Sequence, residues 1–489
     1  MMERVTQMDK EIFRSHLMQA MDKIRMRDQL EYEEVQLLVE PMHEPDKSLN
    51  GADEMMRLVV LAPNNVQHRQ FTVDEAVNLL CWHVPLVPLW IDVSLVEAEQ
   101  KREANSELNR RVHMNISANE ELETIAISAV PHMKIHGRTT GQRSPVTLFW
   151  TGSAVECNVK GAEFWVEIES SYDLLEPWIS IIINGVPVSR QMLIRGRAWI
   201  CIFRGMNPAV VKNVRIIKDV QAMSVDPGNS LQFHAVKTNG AILPVEEKPL
   251  KIEFVGDSIT SGEGAIGAKT EEDWIPMWFS ALHNYTFMTA EALHAEYRVI
   301  SQSGWGVLSS WDNNPNGNMP EYYEQVCGLL KGVQNERLGA LEPHDFSSWQ
   351  PDVVVVNLGS NDDGAFQSPA WTDPLTGQVY KQRLNEDGTY HEEDLAKFEK
   401  AVEQFLIKLR KNNPHAHIIW AYGMLGASLL PAIYRAVDAY QKQSRDHAVS
   451  ILQLPNTTEE TIGARTHPGE LSHRRTADVL TDYIQRVLK

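Results

Sequence analysis

Gly256-Asp257-Ser258 follows directly on an apolar run, Ile252–Val255, and Gly262 and Gly264 lie just beyond it. The run reads as a buried strand, so the serine falls at its carboxyl end and at the mouth of a helix, where open α/β sheets place their sites. A hydroxyl there is a candidate nucleophile once a base takes its proton. His467, in a loop near the end of the chain, is the candidate base, since a neutral imidazole can accept the serine proton and return it to a leaving alcohol. Asn361 follows the run Val353–Asn357, and its amide could donate to a developing oxyanion. Gly306, in Ser303-Gly304-Trp305-Gly306, could bring a backbone N–H to the same point because no Cβ blocks the approach. With the N–H of Ser258 itself, Gly306 and Asn361 make the expected oxyanion hole. Asp257 and Gly359 are expected to support it by fixing their turns, and Trp305 to lie against substrate. Taken alone, each signal has a plainer reading: Ser258 as a helix cap, Asn361 as a turn residue.

Residues this far apart in sequence need a scaffold. After the linker Leu-Pro-Val-Glu-Glu-Lys-Pro-Leu, apolar runs at Ile252–Val255, Val299–Ser301, Val353–Asn357, Ile418–Tyr422 and Ser450–Leu454 alternate with helical stretches. That pattern predicts a parallel sheet flanked by helices over 250–489. The preceding segment, 131–245, has short alternating strands separated by turn residues, with tight-turn signals at Asn184-Gly185 and Asn239-Gly240, and predicts a β-sandwich. The first 130 residues mix both periodicities: a helical stripe at Ile12, Leu17, Met21 and Ile24, strand-like runs at Glu34–Glu40, Leu58–Leu61 and Leu89–Val96, and a capping box at Thr72 and Glu75. This α+β region receives no chemistry, because its histidines show no metal-ligand spacing.

Composition narrows the partners. A chain of 489 residues exceeds one core and requires several domains. Its net charge of −19 repels phosphate backbones and anionic lipid surfaces, so neither nucleic acid nor membrane is an expected partner. The run Ile418–Tyr434 is uncharged but holds Gly423, Gly426 and Pro431, and reads as strand, loop and helix start. The four cysteines, Cys81, Cys157, Cys201 and Cys327, are widely spaced and read as buried thiols. The charged N-terminus lacks the apolar core of a secretory signal, which gives a cytoplasmic expectation.

The order Ser258, Gly306, Asn361, His467 within one α/β domain resembles the SGNH (GDSL-type) hydrolases over 250–489. The stretches FWTGSAVECNVKGAEFWVEI, IIINGVPV, KIEFVGDSIT, MPEYYEQV, WQPDVVVVNLGSND and HPGELSH narrow this. They are similar to carbohydrate esterase family 2, and the likeness runs from about 134 to 489. It implies a flavodoxin-like catalytic domain behind a jelly-roll sandwich. It also implies a serine esterase that removes O-acetyl groups from carbohydrates (xylo-, manno- or gluco-oligosaccharides) through an acetyl-enzyme, without metal or cofactor. Many SGNH hydrolases carry an aspartate three residues before the histidine, where this chain has Ala464, so a Ser258–His467 dyad is expected. A backbone carbonyl or a carboxylate from another loop would then orient the imidazole. A lipid or acyl-thioester hydrolase using the same residues, or an inactive carbohydrate-binding protein, are the competing readings. The role of the N-terminal region and any homo-oligomeric state stay open.

Overall fold

The computed structural model describes residues 28–32, 35–41, 55–62, 65–72 and 122–489. The chain divides into two compact units, Met1–Met114 and Asn115–Lys489. The first contains a four-stranded antiparallel sheet in sequential order, Asp28–Tyr32, Val35–Pro41, Met55–Ala62 and Asn65–Thr72. Two of these strands overlap the runs expected at Glu34–Glu40 and Leu58–Leu61. The stripe from Ile12 to Ile24, the helix expected after Glu75, the strand at Leu89–Val96 and Cys81 lie outside the described residues.

The second unit opens with two antiparallel sheets. In Phe164–Ser171 every second side chain is buried, as a strand with one wet face requires. Phe164, Val166 and Ile168 from this sheet meet Val155, Ile179 and Val214 from the other in one shared core. Asn184 and Gly185, both at positive φ, turn Trp178–Ile183 into Val186–Met192. Asn239-Gly240 does different work: the strands it joins, Ser230–Thr238 and Ala241–Leu243, belong to different sheets, so it carries the chain across the sandwich. The strand Glu123–Ala126 pairs with Ser230–Thr238, so the sandwich draws on residues ahead of 131. Cys157 and Cys327 are buried, but Cys201 is exposed, because it lies on the outer face of the edge strand Gly196–Phe203.

Five parallel strands follow: β1 (Leu250–Gly256), β2 (Ala295–Ser301), β3 (Val353–Asn357), β4 (His417–Gly423) and β5 (Val449–Leu454), in the order β2-β1-β3-β4-β5. Each overlaps one of the five apolar runs. Strand β3 shows why these runs are continuously apolar. Val354 and Val356 pack under the helices Glu392–Asn412 and Leu430–Ser444, while Val353 and Val355 face the helices Tyr285–Ala292 and Glu470–Val487. Gly256 pairs with both Ser301 and Asn357, so three strands end level. Connections leave β1 toward β2 on one side and reach β3 on the other, which opens a crevice at their carboxyl ends. The sandwich packs on this domain through Ala154, Ile182 and Ile217 against Ala281 and Leu282. A buried ion pair between Arg138 and Glu253, 3.2 Å, adds a polar tie.

Candidate active site

Ser258 opens the short helix Ser258–Ser261 directly off β1, and Asp257 caps that helix by accepting the Ile259 N–H at 3.0 Å. Gly262, at φ 81, then turns the chain back toward the C-terminal loop. A Cβ on Gly264 would lie 2.6 Å from His467 Cβ and 2.3 Å from the Ala464 carbonyl oxygen, so the serine and histidine loops touch backbone to backbone. This close approach brings His467 Nε2 to 2.9 Å from Ser258 Oγ.

The other ring nitrogen, Nδ1, lies 2.8 Å from the carbonyl oxygen of Arg465. A carbonyl only accepts, so Nδ1 carries the proton and Nε2 is left to accept the serine O–H. The orienting group is thus a backbone carbonyl. Ala464 is completely buried, its Cβ lodged against Gly267, so an aspartate has no room there. Arg465 and Thr466 both take left-handed φ values of 55°, a conformation that costs a non-glycine residue roughly 1–2 kcal/mol. That turn aims the Arg465 carbonyl back at the imidazole.

A residue that the motifs did not single out completes this corner. Glu263, 3 % exposed, has Oε1 3.8 Å from His467 Nε2 and accepts from Arg465 Nε at 2.9 Å. Burial pushes its carboxyl up, but His467 and Arg465 outweigh that and hold it below the usual range. In the sequence it is one glutamate between two glycines, with no signal that it faces a loop two hundred residues later.

The opposite wall comes from β2 and β3. Gly359, at φ 130, starts the helix Ser360–Gln367, and a Cβ there would sit 2.9 Å from the Tyr422 ring. Asn361 Nδ2 donates to Asp257 Oδ2 at 3.1 Å and to the Trp305 carbonyl at 3.0 Å, so Asn361 is tied to both flanking loops. Asp362 beside it is buried and accepts the N–H groups of Val307 and Leu308, each at 2.8 Å, which anchors the loop after β2. Burial, together with the nearby Asp362 and Glu263 carboxylates, pushes Asp257 up to about 7.

Gly306 is not oriented as the sequence suggests. Its N–H donates to the Gly317 carbonyl at 3.3 Å. Glycine is required there because a Cβ would fall 2.4 Å from Asp362 Oδ2. Nearby N–H groups are committed as well: Gln302 to Gly256, Trp305 to Gln302, and Ser303 to the Gln221 side chain of the sandwich at 2.8 Å. Among the described residues only the Gly304 N–H in this segment meets no acceptor.

Gly304 and Trp305 border a cavity of about 420 Å³ that is also lined by Trp274, Trp311, Gln302, Asp312, Asn314 and Lys331. Trp305 is half-buried, its ring 4.9 Å from that of Tyr322, and Trp311 is 55 % exposed. Ser224 and Val225, from the loop between the sandwich strands Val211–Lys218 and Ser230–Thr238, close one side.

Residues 254–474 match the GDSL-like Lipase/Acylhydrolase family. An acetyl xylan esterase (Est2A) from the rumen bacterium Butyrivibrio proteoclasticus superposes with a TM-score of 0.74 at 46 % identity, covering 75 % of this chain and 98 % of that one. A family two carbohydrate esterase from Clostridium thermocellum, solved in complex with cellohexaose, gives 0.61 at 25 % identity over 73 % and 99 % of the two chains. In sequence, the cellulase/esterase CelE of Acetivibrio thermocellus is 27 % identical over 355 residues, which are 69 % of this chain but only 37 % of that protein. The acetylxylan esterase / glucomannan deacetylase of Cellvibrio japonicus is 24 % identical over 75 % of this chain and 91 % of its own length. The chain belongs to the GDSL-like (SGNH) hydrolases, on the branch of the family two carbohydrate esterases.

Proposed function

We propose that the protein is a serine esterase that removes O-acetyl groups from short acetylated xylo-, manno- or gluco-oligosaccharides, with Ser258 as nucleophile and His467 as general base. The observation that carries this reading is the 2.9 Å Ser258–His467 hydrogen bond, made at the crevice of the parallel sheet with the correct tautomer fixed from behind. Ser258 Oγ attacks the acetyl carbonyl as its proton passes to His467 Nε2. The Ser258 N–H and the Asn361 amide, one of whose hydrogens leaves its resting acceptor, hold the oxyanion. Gly304, with the uncommitted N–H, takes the place that the sequence suggested for Gly306. Collapse breaks the ester bond and gives the proton from Nε2 to the departing sugar oxygen, which leaves as a hydroxyl. Water activated by the same imidazole then hydrolyses the acetyl-enzyme to acetate and free serine.

A sugar suits the cavity because tryptophan faces alternate there with amide, hydroxyl and charged groups, whereas a long acyl chain would need a uniformly apolar tunnel. The relatives named above as acetylxylan esterases support the acetyl ester as the bond cleaved. We read the sandwich as a jelly roll that buttresses the site. Among the described residues no helix is long and apolar enough to cross a membrane.

Acetate release from acetylated xylo- and manno-oligosaccharides by the wild type and Ser258→Ala, with short- and long-chain aryl esters alongside, tests the proposal. Release that disappears in the variant is the expected result. Turnover confined to long acyl chains would move the assignment to lipid or thioester hydrolysis, and sugar binding without turnover to a binding protein.

A further inference from the structure

A Ser–His pair without a triad carboxylate lacks the negative charge that stabilises the imidazolium formed during attack. A carboxylate is nevertheless present, on the other side of the ring. Glu263 is buried and sits 3.8 Å from Nε2, the nitrogen that receives the proton. It cannot swing away, because Arg465 Nε holds the same Oε1 at 2.9 Å and Arg465 Nη1 is held in turn by the Glu272 carbonyl at 2.5 Å. The Arg465 N–H donates to the Glu271 carbonyl at 2.7 Å, so this residue is fixed at both its backbone and its side chain. Its remaining backbone group is the carbonyl that accepts from His467 Nδ1.

We propose that Glu263 and Arg465 form a clamp that does the work of the missing aspartate. Arg465 is a positioning residue whose strained backbone sets the tautomer through its carbonyl. Glu263 is a positioning residue that acts through His467, supplying from the Nε2 side the charge that favours the imidazolium. The two halves are one device, since the ion pair that immobilises the carboxylate also immobilises the carbonyl. The inference rests on the reading of Ser258 and His467 as the reacting pair. The charged and titratable groups beside His467 are Glu263 from the serine loop, Arg465 from its own loop and His473 from the C-terminal helix.

Glu263→Gln keeps the shape and an acceptor for Arg465 but removes the charge. The expected result is a fall of about 10–100-fold in kcat with KM nearly unchanged. Glu263→Asp, which keeps the charge on a shorter arm, should recover part of the loss. Arg465→Ala should also lower kcat, since it releases both the carboxylate and the carbonyl, and combining it with Glu263→Gln should cost less than the two separate losses multiplied, because the two halves act as one device. An unchanged kcat in Glu263→Gln, a fall that Glu263→Asp does not relieve, or losses that simply multiply in the double variant would overturn the proposal. Loss of turnover in Ser258→Ala with no effect at Glu263 would sink the clamp alone. Persistent turnover in Ser258→Ala would sink the reading beneath it.

Discussion

Asn361 has more acceptors to serve than hydrogens. At rest its amide spans Asp257 and the Trp305 carbonyl, and in the proposed reaction it must also meet the oxyanion. The bond to the Trp305 carbonyl, at 3.0 Å, is an ordinary contact between neutral groups, so yielding it costs little beside what the oxyanion gains. Asn361→Ala should therefore lower kcat on acetyl esters by about 100–1000-fold with a much smaller change in KM. Steady-state kinetics on an aryl acetate checks this, and a loss confined to KM would place the amide on the sugar instead. Gly306 illustrates a different use of a glycine: its lack of a Cβ admits the Asp362 carboxylate and shapes the loop, while its N–H serves Gly317.

Among the elements, the loop after β2 is tied to distant parts of the chain at both ends. Asp362, at the start of the helix after β3, grips one end through the Val307 and Leu308 N–H groups. Gln221, from a loop that joins two strands of the sandwich, grips the other by accepting the Ser303 N–H at 2.8 Å and its hydroxyl at 3.0 Å. Gln221 is completely buried, and the buried Lys218 ammonium holds the Gln221 carbonyl at 2.8 Å. Gln221→Ala would strand two donors, a cost of about 1–3 kcal/mol each where no water replaces the amide. It should reduce kcat/KM about tenfold on both aryl acetate and acetylated sugar, since Gly304 follows the freed residue. Equal rates for variant and wild type would reduce the sandwich to a passive support. These ties explain what the sequence could and could not convey. The five catalytic strands were legible because burial on both faces demands unbroken apolar runs, and Val353–Asn357 matches residue for residue. Ser258 and His467 were legible because strand ends and a proline-bounded loop have local signatures. Gln221 and Glu263 were not, since their partners lie 82 and 202 residues away and nothing local distinguishes a gripping side chain from a surface one. The commitment of the Gly306 N–H to Gly317 was equally hidden, because a loop's internal hydrogen bonds leave no periodicity.

Across the second unit, buried titratable groups set how the fold responds to acid, and they act in opposite senses. His136, His344 and His473 are pushed down to about 4, 2 and 3, chiefly by burial, with Arg215 beside His136 and Arg138 and Arg298 beside His344 adding to the effect. The unfolded chain binds protons at these positions below about 6.5 while the native state does not, so each loses stability as pH falls through that window. Asp257 and Asp362, pushed up to about 7 and 6 mainly by burial, are protonated first in the native state and partly offset this loss over the same range. A single substitution separates the two sets. His473 stacks on Tyr285 with ring centroids 6.0 Å apart and planes 7° from parallel, so His473→Phe keeps the aromatic contact and removes the proton site. Relative to the wild type, the variant should gain about 2 kcal/mol on going from pH 7 to pH 4.5, because only the wild type must keep this ring neutral against an increasingly favourable protonated unfolded state. Denaturant unfolding of both proteins at the two pH values measures it. A difference that stays constant with pH would mean that His473 is as readily protonated in the fold as outside it, and that acid sensitivity arises elsewhere.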